Sequence, residues 1–261
     1  MLYSQILILL LSFRSSPSFA DTETMVNKGY RLTNDSVLKD YTLMSLTLEE
    51  DVLVKYIIKT NYLVAKPEAR EIAKNILKVS DCFHIDPWIL TAMIQKESSF
   101  QKDAVSPTDA SGLTQFTSSG FKEVNDQLGF RGREGATENS TIYFTARIRE
   151  CIDPSWVDLW VKVGVPEEDP NFYTLSKTEI KQDISLALTY GAILLKTYVS
   201  SIDSRATRSE TPMLTSEMYY QALQIYNGEE GDAKVRYAKA VFSNLKALYP
   251  KEISFPFLLK K

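Results

Sequence analysis

Apolar residues recur at helical spacing along most of the chain. Clean alternation of apolar and polar positions with turn signals is hard to find, so the pattern predicts an all-α (mostly α) fold. The residues at Thr47–Glu50 form a capping-box sequence before the first apolar stripe. The fourth stripe stops at Asn227-Gly228, a typical helix end. The stripes predict helices at 52–57, 67–80, 180–198, 216–226 and 235–248.

The segment from about 129 to 177 has a less regular pattern. Several Gly and Pro residues lie there among polar residues, together with Tyr143, Phe144, Trp156, Trp160 and Tyr173. We interpret it as an insertion with short helices inside a domain that spans residues 67–250. Residues 21–66 are then a helical N-terminal extension, and residues 251–261 a C-terminal tail.

The first twenty residues have the features of a signal peptide. A short apolar run, 6–11, precedes Ser18-Phe19-Ala20, which fits a small-x-small cleavage site. The run is too short to span a bilayer. The alternative is a buried N-terminal helix. The signal-peptide interpretation predicts a periplasmic or secreted protein without a stable membrane anchor.

Charge and cysteine content narrow the function classes. Without residues 1–20, which contain only Arg14 among charged residues, the chain has 29 basic and 33 acidic residues, a net charge of −4. Such a chain has no general attraction for nucleic acid. Cys82 and Cys151 form a disulfide in an exported protein, or remain two buried thiols. With His84 as the single histidine they cannot make a usual zinc site, and no phosphate loop or dinucleotide fingerprint is present, so we expect no metal and no cofactor.

One predicted helix ends in an unusual carboxylate. Asp86 is a good N-cap residue, and Pro87 suits the first helical position. Ile85 and Leu90 stand where a hydrophobic staple would place them. Glu97 then falls on or beside the apolar face, near the helix C-terminus.

That placement favours a protonated carboxyl group at Glu97. Burial raises the pKa of a carboxyl group, and the negative end of the helix dipole raises it further. A carboxyl group that stays protonated near neutral pH can donate its proton to a glycosidic oxygen. The alternative is a glutamate in the last turn that reaches solvent or pairs with Lys96 or Lys102.

Four short blocks occur in a characteristic order. They are 97–100 (Glu-Ser-Ser-Phe), 104–106 (Ala-Val-Ser), 110–116 (Ala-Ser-Gly-Leu-Thr-Gln-Phe) and 219–228, which ends in Tyr226-Asn227-Gly228. These blocks resemble the motifs of the soluble lytic transglycosylase family, which has a lysozyme-like helical fold and acts on the glycan strands of peptidoglycan. The resemblance spans roughly residues 67–249.

The resemblance assigns roles to individual residues. Glu97 is implied as the single catalytic acid and base. Ser106 and Gln115 are implied to contact the sugar and its N-acetyl group, and Tyr226 to hydrogen-bond near Glu97. The remaining implied site residues are Ser98, which supports the turn after Glu97, and Phe116, Tyr190 and Asn227, which line the same groove.

The chain also departs from the family pattern. Asp109 stands where the family usually has Gly, and Thr114 replaces the usual Met. The last motif reads Tyr-Asn-Gly-Glu, and about 67 residues separate Gln115 from Asp183, more than in compact members. These differences bear on substrate preference, including acetylated against deacetylated glycan.

The resemblance implies cleavage of the N-acetylmuramic acid to N-acetylglucosamine link with formation of a 1,6-anhydro ring. One alternative is a muramidase that uses water, for which Asp109 or Asp183 is the candidate second carboxylate. Another is a non-catalytic wall-binding protein. The expected partner is peptidoglycan, and a monomer is the expected state.

Trp156 and Trp160 are spaced one helical turn apart in the insertion. They form a core-facing stripe, or they stack on sugar rings. A core-facing stripe is the more frequent role for this spacing and is the one we expect.

Overall fold

The computed structural model describes residues 50–129, 138–203, 216–228 and 230–248, which all belong to one unit, residues 37–261. This part of the chain is all-α, as the sequence predicts. The predicted signal peptide, the start of the capping box and the C-terminal tail lie outside the described residues. The helices are α1 (Glu50–Thr60), α2 (Lys66–Phe83), α3 (Pro87–Ser98), α4 (Ser118–Gly129), α5 (Glu138–Arg147), a π-helix (Ile148–Ile152), α6 (Leu159–Lys162), α7 (Phe172–Gln182), α8 (Ile184–Ile202), α9 (Ser216–Asn227) and α10 (Asp232–Leu248).

The end of α2 and the start of α3 form a tight joint. His84 closes α2 in the left-handed conformation with φ of 51°. The carboxylate of Asp86 accepts hydrogen bonds from the backbone N–H groups of Trp88 (2.7 Å) and Ile89 (3.0 Å). This is the predicted N-cap, and it starts α3 directly after the turn. Ser99, whose backbone is also in the left-handed conformation, ends α3. Its N–H donates a hydrogen bond to the Gln95 carbonyl at 3.0 Å.

Helix α8 lies at the centre of the described fold. It packs against α2, α4, α7 and α9. Fourteen of its residues are buried, which explains why it is apolar almost all round rather than striped. The neighbouring α10 packs along α3 and closes the bundle on that side.

The predicted helix over 180–198 is two helices. Asp183 ends α7 with φ of −115° and ψ of 98°, and its carboxylate accepts a hydrogen bond from Leu186 N at 2.9 Å as the N-cap of α8. Ile180 and Ile184 are both buried on either side of this break. The apolar spacing therefore continues through the break, and periodicity alone does not reveal it.

The segment 129–177 contains the short helices that its pattern predicts. The disulfide between Cys82 and Cys151 joins the end of α2 to the π-helix, with a sequence separation of 69 and Cα atoms 5.7 Å apart. Arg147 supports the same joint, since its Nε donates to the Cys82 carbonyl at 2.7 Å. No helix in the described residues is long and apolar enough to cross a membrane.

Candidate active site

Glu97 lies in the last turn of α3 and faces α10. The hydroxyl of Tyr237, on α10, donates a hydrogen bond to Glu97 Oε1. Tyr237 is buried, and Glu97 is half-buried. Lys96 Nζ lies over the Tyr237 ring, 5.8 Å from its centroid. Tyr237 thus contacts both the Glu97 carboxyl group and the Lys96 cation.

Burial raises the pKa of Glu97 to about 7, although the Tyr237 hydrogen bond and the Lys96 charge both lower it. The group therefore gains and loses a proton near neutral pH. This is the behaviour that general acid and base catalysis requires. Neither Lys96 nor Lys102 forms an ion pair with Glu97 among the described residues, in contrast to the alternative of a simple surface pair.

The turn after Glu97 is tied to the loop formed by residues 104–116. Ser98 Oγ donates to the Leu113 carbonyl at 2.9 Å and to the Ile94 carbonyl at 3.2 Å. The hydroxyl of Tyr226 donates to the Thr114 carbonyl at 2.9 Å. Burial and the nearby Glu97 carboxylate both raise the Tyr226 pKa. Tyr226 is therefore close enough for the Glu97 charge to act on it, while its hydroxyl holds the loop at Thr114.

The 104–116 loop is organised by its own polar side chains. Gln115 Nε2 donates to the carbonyls of Ala104 (3.2 Å) and Gly112 (3.0 Å). Ser106 Oγ accepts from Ala110 N at 3.0 Å and shares a hydrogen bond with Thr108. Both Ser106 and Gln115 are half-buried. These hydrogen bonds hold the loop in its shape.

Backbone strain concentrates around this loop. Five non-glycine residues in the described part of the chain have positive φ, and four of them lie between positions 99 and 115. Left-handed backbone costs energy for residues with a Cβ, and it persists where surrounding contacts hold it. Such strain is typical of binding and catalytic sites. The four residues are Ser99, Phe100, Asp109 and Gln115.

The two candidate second carboxylates have other partners. Asp109 forms an ion pair with Lys177 on the exposed side of the loop. Asp183 caps α8 and pairs with Lys162 at 3.2 Å. Neither charge is among those that shift the Glu97 pKa. Both carboxylates therefore have structural roles: Asp109 is a loop charge, and Asp183 is a charge at a helix N-terminus.

Comparison with known proteins gives one match. Residues 74–141 match the family model of the transglycosylase SLT domain. By this match, the segment 74–141, which is 68 of the 261 residues, belongs to a transglycosylase SLT domain. The match contains Glu97, Ser98, Ser106 and Gln115, and it ends before α8, α9 and α10. No curated protein and no solved structure matches the chain significantly.

Two predicted substrate contacts, Phe116 inside the matched segment and Tyr190 outside it, are buried and need correction. Phe116 and Tyr190 are 1% and 0% exposed, respectively. Their rings lie 6.0 Å apart in an aromatic cluster with Phe121, and the Tyr190 hydroxyl donates to Asn125 Oδ1 at 2.9 Å. Both side chains are buried behind the loop, where they support it and cannot contact a ligand at the surface.

Asn227, the last residue of α9, has a different environment. Its Oδ1 is buried and has no hydrogen-bond partner among the described residues. A buried acceptor without a partner costs free energy unless a ligand or water donates to it. The Asn227 Oδ1 is thus an acceptor that a bound ligand or water could satisfy.

Tyr237 is the site residue that the sequence does not reveal. It falls between Val235 and Ala238 in the stripe of α10 and therefore resembles a core tyrosine. It lies 140 residues from Glu97 along the chain. The one available signal is its hydroxyl group, because the hydroxyl of a buried tyrosine usually forms a hydrogen bond.

The two tryptophans of the insertion lie in partly exposed positions. Trp160 lines a cavity of about 440 Å³ with Glu167 and Glu168, and Trp156 Nε1 donates to Asp158 at 3.2 Å. Both tryptophans are half-buried. They are therefore not fully enclosed core residues.

No three His, Cys, Asp or Glu residues in the described ranges are grouped so as to hold a metal ion.

Proposed function

We propose that this protein is a peptidoglycan lytic transglycosylase and that Glu97 serves first as the acid and then as the base. The observation that carries the proposal is a half-buried carboxyl group with a pKa near 7, held by Tyr237 inside an SLT domain. A carboxyl group of this kind is protonated often enough to donate and ionised often enough to accept.

In the first step, the Glu97 carboxyl group donates its proton to the oxygen that links N-acetylmuramic acid to N-acetylglucosamine. The bond from the muramic anomeric carbon to that oxygen breaks, and the N-acetylglucosamine end leaves as an alcohol. The neighbouring N-acetyl group stabilises the positive charge that develops on the anomeric carbon. The Tyr237 hydroxyl stabilises the carboxylate that remains on Glu97.

In the second step, the Glu97 carboxylate takes the proton of the muramic 6-hydroxyl group. The oxygen of that hydroxyl bonds to the anomeric carbon of the same sugar and closes the 1,6-anhydro ring. Glu97 is protonated again and ready for the next link. The attacking group is tethered to the reacting sugar, so its effective concentration is high.

The ion pairs formed by Asp109 and Asp183 favour this route over hydrolysis. A water-using muramidase needs a group that positions the water, and the two candidates, Asp109 and Asp183, are held in ion pairs with Lys177 and Lys162. A tethered hydroxyl needs no second carboxylate. Ser106, Gln115 and Asn227 are proposed to bind the glycan beside Glu97.

Turbidity clearance of purified peptidoglycan tests the proposal. The wild-type protein is expected to clear the suspension, whereas Glu97→Gln, which cannot donate the proton, is expected to lose at least about a thousandfold in rate. Glu71→Gln, an exposed site on α2, is the matched control and retains activity. Equal clearance by the wild type and Glu97→Gln would disprove the enzymatic role of Glu97.

The expected setting is the periplasm or the outside of the cell, as the signal-peptide features indicate. Acetylated and deacetylated glycan are both candidate substrates. We propose that the protein acts as a monomer.

A further inference from the structure

Helix α7, the last helix of the insertion, contacts the 104–116 loop through two polar side chains. The Tyr173 hydroxyl lies 2.7 Å from the Asp109 carbonyl and 3.4 Å from the Phe116 carbonyl, and donates toward both. Lys177 Nζ donates to Asp109 Oδ1 and forms an ion pair with it. One residue of the loop, Asp109, is thus held by its backbone and by its side chain from the same helix.

A third residue of α7 completes this contact. Ile180 Cδ1 lies 3.3 Å from the position that a Cβ on Gly112 would occupy. Tyr173, Lys177 and Ile180 are spaced by four and three residues, so they share one face of α7. This face reaches the loop at Asp109 and at Gly112. The family-model match ends at residue 141, before α7 begins.

Asp109 is in a backbone conformation that needs outside support. Its φ is +67°, in the left-handed region that residues with a Cβ rarely adopt. Its side chain is 59% exposed, whereas that of Lys177 is only 15% exposed. Lys177 Nζ also lies 4.9 Å from the centroid of the Tyr173 ring, a cation–π geometry. The cation is fixed by packing, and the strained aspartate is held against it.

The position of Asp109 determines the position of Ser106. Asp109 N donates to the Ser106 carbonyl at 2.9 Å, and Ser106 N donates to the Ala110 carbonyl at 2.9 Å. Ala110 N in turn donates to Ser106 Oγ at 3.0 Å. A shift of Asp109 therefore moves the hydroxyl that is proposed to contact the sugar.

We infer that Lys177 and Tyr173 are positioning residues that hold the 104–116 loop in its glycan-binding shape through Asp109. The inference rests on the proposed function in assigning glycan binding to the loop. The insertion is then part of the binding apparatus, although neither residue touches the glycan. Helix α7 of the insertion supports Asp109, which has a Cβ and therefore needs contacts to hold its positive φ.

Steady-state kinetics on soluble glycan strands tests the effect on binding. Lys177→Met keeps the length of the side chain but loses the charge, and it is expected to raise KM about fivefold or more while kcat changes less than about twofold. Lys177→Arg, which can reach the same carboxylate, is expected to restore most of the affinity. Lys181→Met is the matched control, since Lys181 lies one turn further along α7 and has no hydrogen bond or ion pair among the described residues. Equal KM values for the wild type and Lys177→Met would overturn the inference.

Hydrogen–deuterium exchange tests the same inference without any substrate. Lys177→Met and Tyr173→Phe are each expected to increase exchange of the backbone amides of residues 104–116 at least about threefold, while the amides of α8 stay protected. Unchanged exchange in the loop would overturn the inference. An inactive wild-type protein would instead contradict the proposed function, and the exchange measurement would still judge whether α7 holds the loop.

A double-mutant cycle shows whether the lysine acts through Asp109. Asp109→Gly removes the carboxylate and suits a positive φ. In that background, Lys177→Met is expected to change KM less than about 1.5-fold. An equal KM increase in both backgrounds would place the effect of Lys177 elsewhere and overturn the inference.

Discussion

The hydroxyl of Tyr237 donates a hydrogen bond to Oε1 of Glu97, and it joins two helices that are far apart in the sequence. Helix α10 packs along α3, so the tyrosine approaches the carboxyl group from inside the bundle. Burial raises the Glu97 pKa, and this hydrogen bond partly opposes the rise. The balance of the two effects keeps the pKa of the carboxyl group close to neutral pH.

Tyr237→Phe should therefore move the pH dependence of catalysis. Loss of the hydrogen bond removes an effect that lowers the Glu97 pKa, so the alkaline limb of kcat/KM is expected to shift upward by about one pH unit. The rate at the optimum is expected to fall about tenfold because the carboxylate loses a stabilising partner. The measurement is a pH profile of kcat/KM from pH 4 to pH 9. Tyr62→Phe, at a site that is 84% exposed, is the control, and a downward shift in Tyr237→Phe would contradict this role.

Glu97 should also reduce stability at alkaline pH. A carboxyl group with a raised folded-state pKa binds its proton more tightly in the folded than in the unfolded protein. Stability relative to Glu97→Gln is therefore expected to fall as the pH rises from about 4.5, and the loss is complete above about 7. The expected difference between pH 4 and pH 8 is on the order of 1–3 kcal/mol.

Urea unfolding of the wild type and Glu97→Gln at both pH values measures this difference. Comparison with the Gln variant cancels the contribution of Asp86, whose pKa burial also raises to about 7. A constant difference between the two proteins across this range would show that Glu97 titrates normally.

Close contact between α8 and the loop predicts the effect of Gly191→Ala. A Cβ at position 191 would stand 2.5 Å from Thr114 Cγ2, closer than side-chain atoms pack. An alanine in a helix interior normally stabilises by roughly 0.5–1 kcal/mol relative to glycine, so a destabilisation of about 1–3 kcal/mol is the signature of the clash. Thermal unfolding measures it. Adding Thr114→Ser, which removes Cγ2, should recover part of the loss, and a stabilised single variant would refute the contact.

The disulfide predicts a large effect of reduction on stability. A bridge that closes a loop of 69 residues stabilises by about 4 kcal/mol on the chain-entropy model. Replacing both cysteines by serine is expected to lower the melting temperature and to make it insensitive to reducing agent. The wild type should approach the same melting temperature once it is reduced. Insensitivity of the wild-type melting temperature to full reduction would contradict the stabilising role.

Local signals in the sequence were sufficient to predict the helix that carries Glu97. Asp86 and Pro87 mark its start by short-range chemistry, and the apolar positions after them fix the face on which Glu97 lies. The direction of the Glu97 pKa shift follows from that face. The disulfide between Cys82 and Cys151 was also predictable, because only two cysteines are present.

Contacts between distant segments could not be predicted from the sequence. Tyr237 meets Glu97 only after α10 packs on α3, and its place in an apolar stripe hides the hydroxyl partner. Phe116 follows a motif residue, yet the buried aromatic cluster takes its side chain away from the surface. The ion pair of Asp109 with Lys177 spans 68 residues. Local patterns carry no information about such partners.

The central claim is that Glu97 acts alone and that the sugar's own 6-hydroxyl group attacks. Digestion of peptidoglycan in ¹⁸O-labelled water, followed by mass spectrometry of the muropeptides, tests it most directly. Attack by the 6-hydroxyl group gives products that are lighter than hydrolysed muropeptides by one water molecule and contain no ¹⁸O. Products that carry the label at a reducing muramic acid would show that water attacks and would contradict the account.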